Sequence, residues 1–137
     1  MANQDTNKIV REYLVNQSTL TAVVSTRIYV PRLPENTTLP AIGFFTRGGT
    51  ATPYIPGIPQ PSIQFDCWGA TPIVARQVYG LLYDVLQGIQ RQTVTVDGND
   101  YIIHSAIEEV QGQDLQDEIK DYFRVMTFFS FIIMAKT

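Results

Sequence analysis

Cys67 and His104, the one cysteine and the one histidine of the chain, are the side chains best suited to act as a nucleophile and its base. A reactive thiolate needs an accessible, electropositive setting. Cys67 instead alternates with Ile63 and Phe65 in Ser62-Ile-Gln-Phe-Asp-Cys-Trp68. That spacing predicts an inert thiol on the buried face of a strand. His104 falls near the end of a predicted hairpin strand, where an edge or surface position is expected. A lone cysteine excludes an internal disulfide and a multi-cysteine zinc site, and it fits a reducing compartment. A single histidine leaves other metal sites short of ligands.

Asp97-Gly-Asn-Asp100 has a faint calcium-loop look, but it lacks the full ligand series and its terminal Glu. A tight turn is the expectation. Arg47-Gly48-Gly49 follows a strand pattern without the Gly-Lys-Ser/Thr of a phosphate loop, and no helix follows it. Glu108, Glu109, Asp114, Asp117, Glu118 and Asp121 crowd into one segment, read as an exposed acidic loop. None of these sets is catalytic. The protein is expected not to be an enzyme and to use no cofactor or metal.

Composition narrows the classes further. The net charge of −3 argues against a broad basic face for nucleic acid. Its distribution is uneven: residues 51–137 carry five basic groups against ten acidic ones. Such asymmetry suits contacts between copies of one chain as well as a solvated acidic loop. No apolar run approaches the ~18 residues of a membrane span, and the first residues lack a signal-peptide pattern. The length fits one domain, residues 1–137.

Helical spacing of Ile9, Val10, Tyr13 and Leu14 predicts a helix over about 7–16, capped by Asp5 or Thr6. Ser18 is a candidate cap for a short helix through Val24. Arg27–Val30, Ala41–Thr46 and Ser62–Trp68 read as strands. Thr71-Pro72 opens a helix over about 72–88, with an apolar stripe from Val74 to Ile89. Thr93–Val96 and Tyr101–His104 flank a turn as a hairpin. Tyr122–Met134 reads as a long strand with Phe123, Val125, Phe129, Phe131 and Ile133 facing the core. The expected fold is α+β: a mostly antiparallel β-sheet with helices packed on one face.

One stretch breaks the pattern. Residues 46–61 hold Pro53, Pro56, Pro59 and Pro61, half of the eight prolines, between two strand patterns. Loops beyond about 12–15 residues are uncommon inside a domain and are usually functional or disordered. Tyr54, Ile55 and Ile58 make this one less polar than a linker. It is read as a long extended loop or hairpin arm that grips a neighbour. With Arg47 these three form the candidate assembly interface, together with Trp68, which alternation places outward beside Gln64 and Asp66. The competing reading for Trp68 is that a helix covers it near Gly69 or that the strand bends there.

The order of motifs resembles the tail-completion, or tail-terminator, proteins of long-tailed bacteriophages. The residues that carry it are Arg27-Ile-Tyr-Val-Pro31, Leu39-Pro40-Ala41-Ile42 opening a strand, Ile63-Gln-Phe-Asp-Cys-Trp68 with Thr71 and a helix after it, and Tyr122-Phe-Arg-Val125 in the last strand. The resemblance spans nearly the whole chain. It implies a structural virion protein of the tail or neck, assembled in the host bacterial cytoplasm. It implies a homo-oligomeric, hexameric ring that caps the tail tube, stops its polymerisation and offers a docking face to the head connector. The implied partners are the major tail tube protein and the connector or stopper protein. DNA would pass through the lumen without specific binding, and no membrane is involved. Asp114, Asp117 and Glu118 are then candidates for a lumen that repels phosphate. Two alternatives stand beside this: a head-completion or stopper ring of the neck, and a small soluble ligand-binding domain.

Overall fold

A computed structural model describes residues 5–30, 38–50, 60–117 and 122–135. The elements are α1 (Thr6–Val15), α2 (Ser18–Val24), β1 (Ile28–Tyr29), β2 (Ala41–Thr50), β3 (Gln60–Gly69), α3 (Pro72–Leu86), β4 (Gln90–Val96), β5 (Asn99–Asp117) and β6 (Tyr122–Ala135). The composition is α+β. The strands form one six-stranded, curled sheet in the order β1-β2-β3-β6-β5-β4. β1 pairs parallel to β2, and the other described pairings are antiparallel. Among the described residues no helix is long and apolar enough to cross a membrane.

Local chemistry sets the helix starts. The Asp5 carboxylate accepts from the Lys8 backbone N–H at 3.2 Å and caps α1. Thr71 does the same for Val74 at the start of α3, where Pro72 supplies a preset φ. Ser18 is not the cap of α2 as expected. It is the first helical residue, and Gln17 holds the cap position with no side-chain bond.

Two expected loops are partly strand. β2 runs on to Thr50 and β3 begins at Gln60, with Gly49 opposite Pro61 and Thr50 opposite Gln60. A register shift between Thr46 and Gly49 breaks the period of two there, so alternation cannot reveal the strand. Residues 51–59, with Tyr54, Ile55 and Ile58, lie outside the described residues. The acidic segment is strand as far as Asp117, paired with β6 from end to end. Three register shifts, after Ile103, Glu108 and Val110, scramble its pattern. Its Glu and Gln composition also opposes strand propensity, and pairing with aromatic β6 overrides it. Glu118 and Asp121 lie outside the described residues.

Phe65 sits at the middle of the core. Its ring centroid is 5.2 Å from Phe44, 5.8 Å edge-on from Phe129 and 6.1 Å from Phe131. Ile9 and Leu14 of α1, Leu20 of α2 and Val78 and Leu82 of α3 join the same buried cluster. The core face of β6 is as predicted for Val125, Phe129, Phe131 and Ile133, with Phe123 half-buried. Tyr13 donates its hydroxyl to the Val85 carbonyl at 2.6 Å, tying α1 to α3.

Phe65→Ala removes a ring that touches three others and leaves a cavity. The expected loss is about 3–5 kcal/mol of unfolding free energy. Urea denaturation checks it: the midpoint falls while the slope stays that of the parent.

Candidate functional site

The residues of β6 that turn away from the core are Arg124, Met126, Phe128, Ser130, Ile132 and Met134. Register extends this outer face across three strands. Trp68 lies opposite Arg124, Asp66 opposite Met126 and Gln64 opposite Phe128 on β3. On β5, Ile107 lies opposite Ser130 and Val110 opposite Phe128. A solvated antiparallel face ordinarily alternates to polar residues. This one is largely apolar, with Ile107 55 % and Val110 43 % exposed.

The charges on that face are matched among themselves. Arg124 Nη1 lies 3.3 Å from Asp66 Oδ1, and its guanidinium is 5.4 Å from the Trp68 ring centre. Arg47 stands over the Phe128 ring at 3.9 Å and donates from Nε to Ser62 Oγ at 3.2 Å. Ser62 in turn donates to Glu109 Oε1 at 2.6 Å. Arg47 and Trp68 thus share the outer face, but they sit towards opposite ends of β3 and do not meet. Trp68 is half-buried beside Arg124. Sequence reasoning did not anticipate Arg124, Phe128 or Glu109 here. The even positions of β6 were the available signal.

Of the three acidic candidates, Asp114 is the one whose side chain is described. Asp114 is exposed on β5 and pairs with Arg76 Nε at 2.9 Å. Asp117 lies opposite Tyr122 in the ladder, and Glu118 is outside the described residues.

A second polar cluster joins α3 to bulged β5. Tyr79 donates its hydroxyl to Glu108 Oε2 at 2.6 Å and accepts from the Gly112 N–H at 3.2 Å. Buried Thr127 lies 2.7 Å from the same Glu108 oxygen and 2.8 Å from the Val110 carbonyl, and can donate to either. Gln87 Oε1 accepts from the Glu108 N–H at 2.8 Å. Burial, then the hydrogen bond to Glu108, pushes the Tyr79 phenol up to about 12. A Cβ on Gly112 would lie 2.7 Å from the Tyr79 ring and from Val125, so this close approach needs glycine. A phenol with that affinity for its proton is a structural donor at neutral pH.

The remaining sequence candidates resolve simply. Cys67 is fully buried as expected, and burial, with the Asp66 charge adding, raises its thiol far above the usual range. His104 is half-buried at the first bulge of β5. Asp97 and Gly98, at φ 52° and 80°, form the two-residue turn between β4 and β5. Among the described residues no group of His, Cys, Asp and Glu is placed to hold a metal ion. A shallow cleft of about 220 Å³ lies among Pro72, Ala75, Asp114, Leu115, Phe123 and Arg124, without convergent catalytic groups.

No protein-family model matches the chain, and no curated protein matches it. A solved structure shares the fold. It is a chain from the virion of a native gene transfer agent (GTA) particle, with a TM-score of 0.59 and 14 % identity. The likeness covers 96 % of this chain and 99 % of that one.

Two predictions follow from this geometry. Cys67 should resist a thiol-specific reagent in the native protein and react fully after unfolding in guanidinium. Rapid labelling of native protein would contradict the packing. The second concerns Asp66, whose carboxyl is raised by burial and pulled back by Arg124 and Gln64. A raised folded value means that ionisation of Asp66 opposes folding. The cost is absent while the carboxyl is protonated in both states, and it sets in as pH rises through the unfolded and then the folded value. Arg124→Ala removes the main offset. It should cost about 2 kcal/mol at neutral pH, with a smaller loss towards pH ~4. Urea denaturation across that pH range measures it.

Proposed function

We propose that the protein is a structural component of a phage-like virion, and that it works by assembly and not by catalysis. The observation that carries this is the end-to-end fold likeness to a chain of the gene transfer agent virion. The largely apolar, charge-matched outer face of the sheet supports it, because such a face suits contact with another surface better than contact with water. The sequence motifs shared with tail-terminator proteins give the finer reading. In it, copies form a hexameric ring at the tail-to-head joint. The ring caps the tail tube, ends its growth and docks the connector, and DNA passes through its lumen.

In this reading the helices form one layer against the core side of the sheet. Residues around 46–61 act as the arm that holds a neighbour, its base made by the β2–β3 ladder up to Thr50 and Gln60. Ring closure needs two different surfaces on each copy whose rotation closes. The outer face, bordered by Arg47 and Trp68, is one such surface. Asp114, Asp117 and Glu118 line the lumen in this proposal, although the pairing of Asp114 with Arg76 reduces its field.

The test is assembly. Purified protein added to polymerising tail tube protein should shorten the tubes and show as rings at their ends by negative stain. Absence of both effects defeats the reading. Replacing residues 51–59 with a two-residue turn between Thr50 and Gln60 should leave the denaturation midpoint unchanged and abolish the rings. Normal rings from that variant would remove the arm from the proposal.

A further inference from the structure

The described sheet ends in two edge strands, β1 and β4. The first is guarded. β1 has two residues, and Arg11 donates from Nε to its Ile28 carbonyl at 2.8 Å. The side of β5 that β4 leaves uncovered is filled as well, with Gly88 on the Ala106 carbonyl and Gln87 on the Glu108 N–H. β4 has no such cover. Gln90–Val96 contains no proline, lysine or carboxylate, residues that commonly keep an edge from pairing. Its one charge, Arg91, stands near the start of the strand at φ 53°.

Hairpin geometry fixes which backbone groups are open. Asp97-Gly98, at φ 52° and 80°, is a two-residue turn, so Val96 and Asn99 exchange both ladder bonds. The alternation then joins Val94 to Tyr101 and Gln92 to Ile103 in the same way. Thr93 and Thr95, lying between them, turn their N–H and C=O outward. Both residues are exposed, and among the described residues no hydrogen bond reaches those outward groups.

An open row of this kind binds an extended strand through its main chain. The register of β4 selects the strand. Laid antiparallel on itself about Val94, β4 sets Thr93 opposite Thr95 of the second copy, and Thr95 opposite Thr93. All four are outward residues, so both pairs are of the type that exchanges two bonds. The same register sets Arg91 opposite Asp97 of the second copy at each end. Arg91 has no ion pair among the described residues, and Asp97 meets Lys8 at 3.6 Å between exposed groups. Opposite charges directly across a ladder favour pairing. Sliding one copy by two residues keeps the bonding pattern, but it sets Arg91 opposite Thr95 or Asn99 and loses the charge match.

We propose that β4 is a self-pairing edge: two copies of the chain join their sheets antiparallel through Thr93 and Thr95, with Arg91 of each copy facing Asp97 of the other. The contact is isologous, the kind that makes a closed pair. It covers, in the free protein, the stretch of sheet most open to uncontrolled strand addition. It uses neither the outer face nor residues 46–61, so it does not rest on the ring reading.

Sedimentation velocity over a concentration series is the test. The parent should shift from monomer to dimer. Thr93→Pro should remain monomeric over the same series. It should keep the denaturation midpoint that the parent shows when dilute, because the lost N–H serves no bond within the chain. Arg91→Asp and Asp97→Lys each place like charges at both ends of the pair, and each should weaken dimerisation roughly tenfold at low salt. Mixed, the two variants restore opposite charges at both ends and should dimerise as tightly as the parent. A parent that stays monomeric throughout, or a Thr93→Pro protein that dimerises as the parent does, overturns the proposal. A mixture no tighter than either variant alone overturns the register on which it rests. None of these outcomes needs tail tubes, so they leave the ring reading to its own test.

Discussion

Both halves of the sheet are joined through β6. It pairs with β3 on one side and β5 on the other, so among the described residues the backbone ladders of the β1-β2-β3 and β4-β5 groups are joined through this strand. Its two faces do different work. Val125, Phe129, Phe131 and Ile133 complete the core around Phe65, while Met126, Phe128, Ile132 and Met134 form the middle of the outer face. The fold and the candidate surface therefore rest on the same backbone ladder. A slip of one residue would exchange the two faces. Thr127, polar yet fully buried on the core side, opposes such a slip because its hydroxyl has partners on β5 only in this register.

Where periodicity is intact, the sequence is readable. The apolar stripe of α3, the alternation of β3 and β6 and the Asp97-Gly98 turn all state their structure in local terms, and so does the burial of Cys67. Bulges hide the rest. The extension of β2 to Thr50 and the acidic half of β5 both follow register shifts, so neither shows a period of two. Glu108 and Glu109 read as loop residues because their partners come from α3, β6 and β3, far away in sequence. The outward side of Trp68 was visible from alternation. Its stacking with Arg124 was not, since that depends on the β3–β6 register.

Charges on the outer face are matched across elements: buried Asp66 pairs with half-buried Arg124, and exposed Arg47 reaches exposed Glu109 through buried Ser62. Buried polar groups are tolerable when satisfied and expensive otherwise. Matching them internally leaves the outer face electrically quiet.

The α3–β5 hydrogen bonds have a further consequence. Beyond its pairing with β4, β5 has a strand neighbour, β6, on one side only among the described residues. On the other side Gly88 occupies the Ala106 carbonyl, Gln87 the Glu108 N–H, Tyr79 the Gly112 N–H and Arg76 the Gly112 carbonyl. An open row of this kind is a template for amyloid-like strand addition. Here α3 and the two residues after it blunt the row with three side chains and the Gly88 backbone N–H instead of another strand. The backbone groups a stacking strand would need on this stretch are thereby already taken, so the edge gives little template for strand addition.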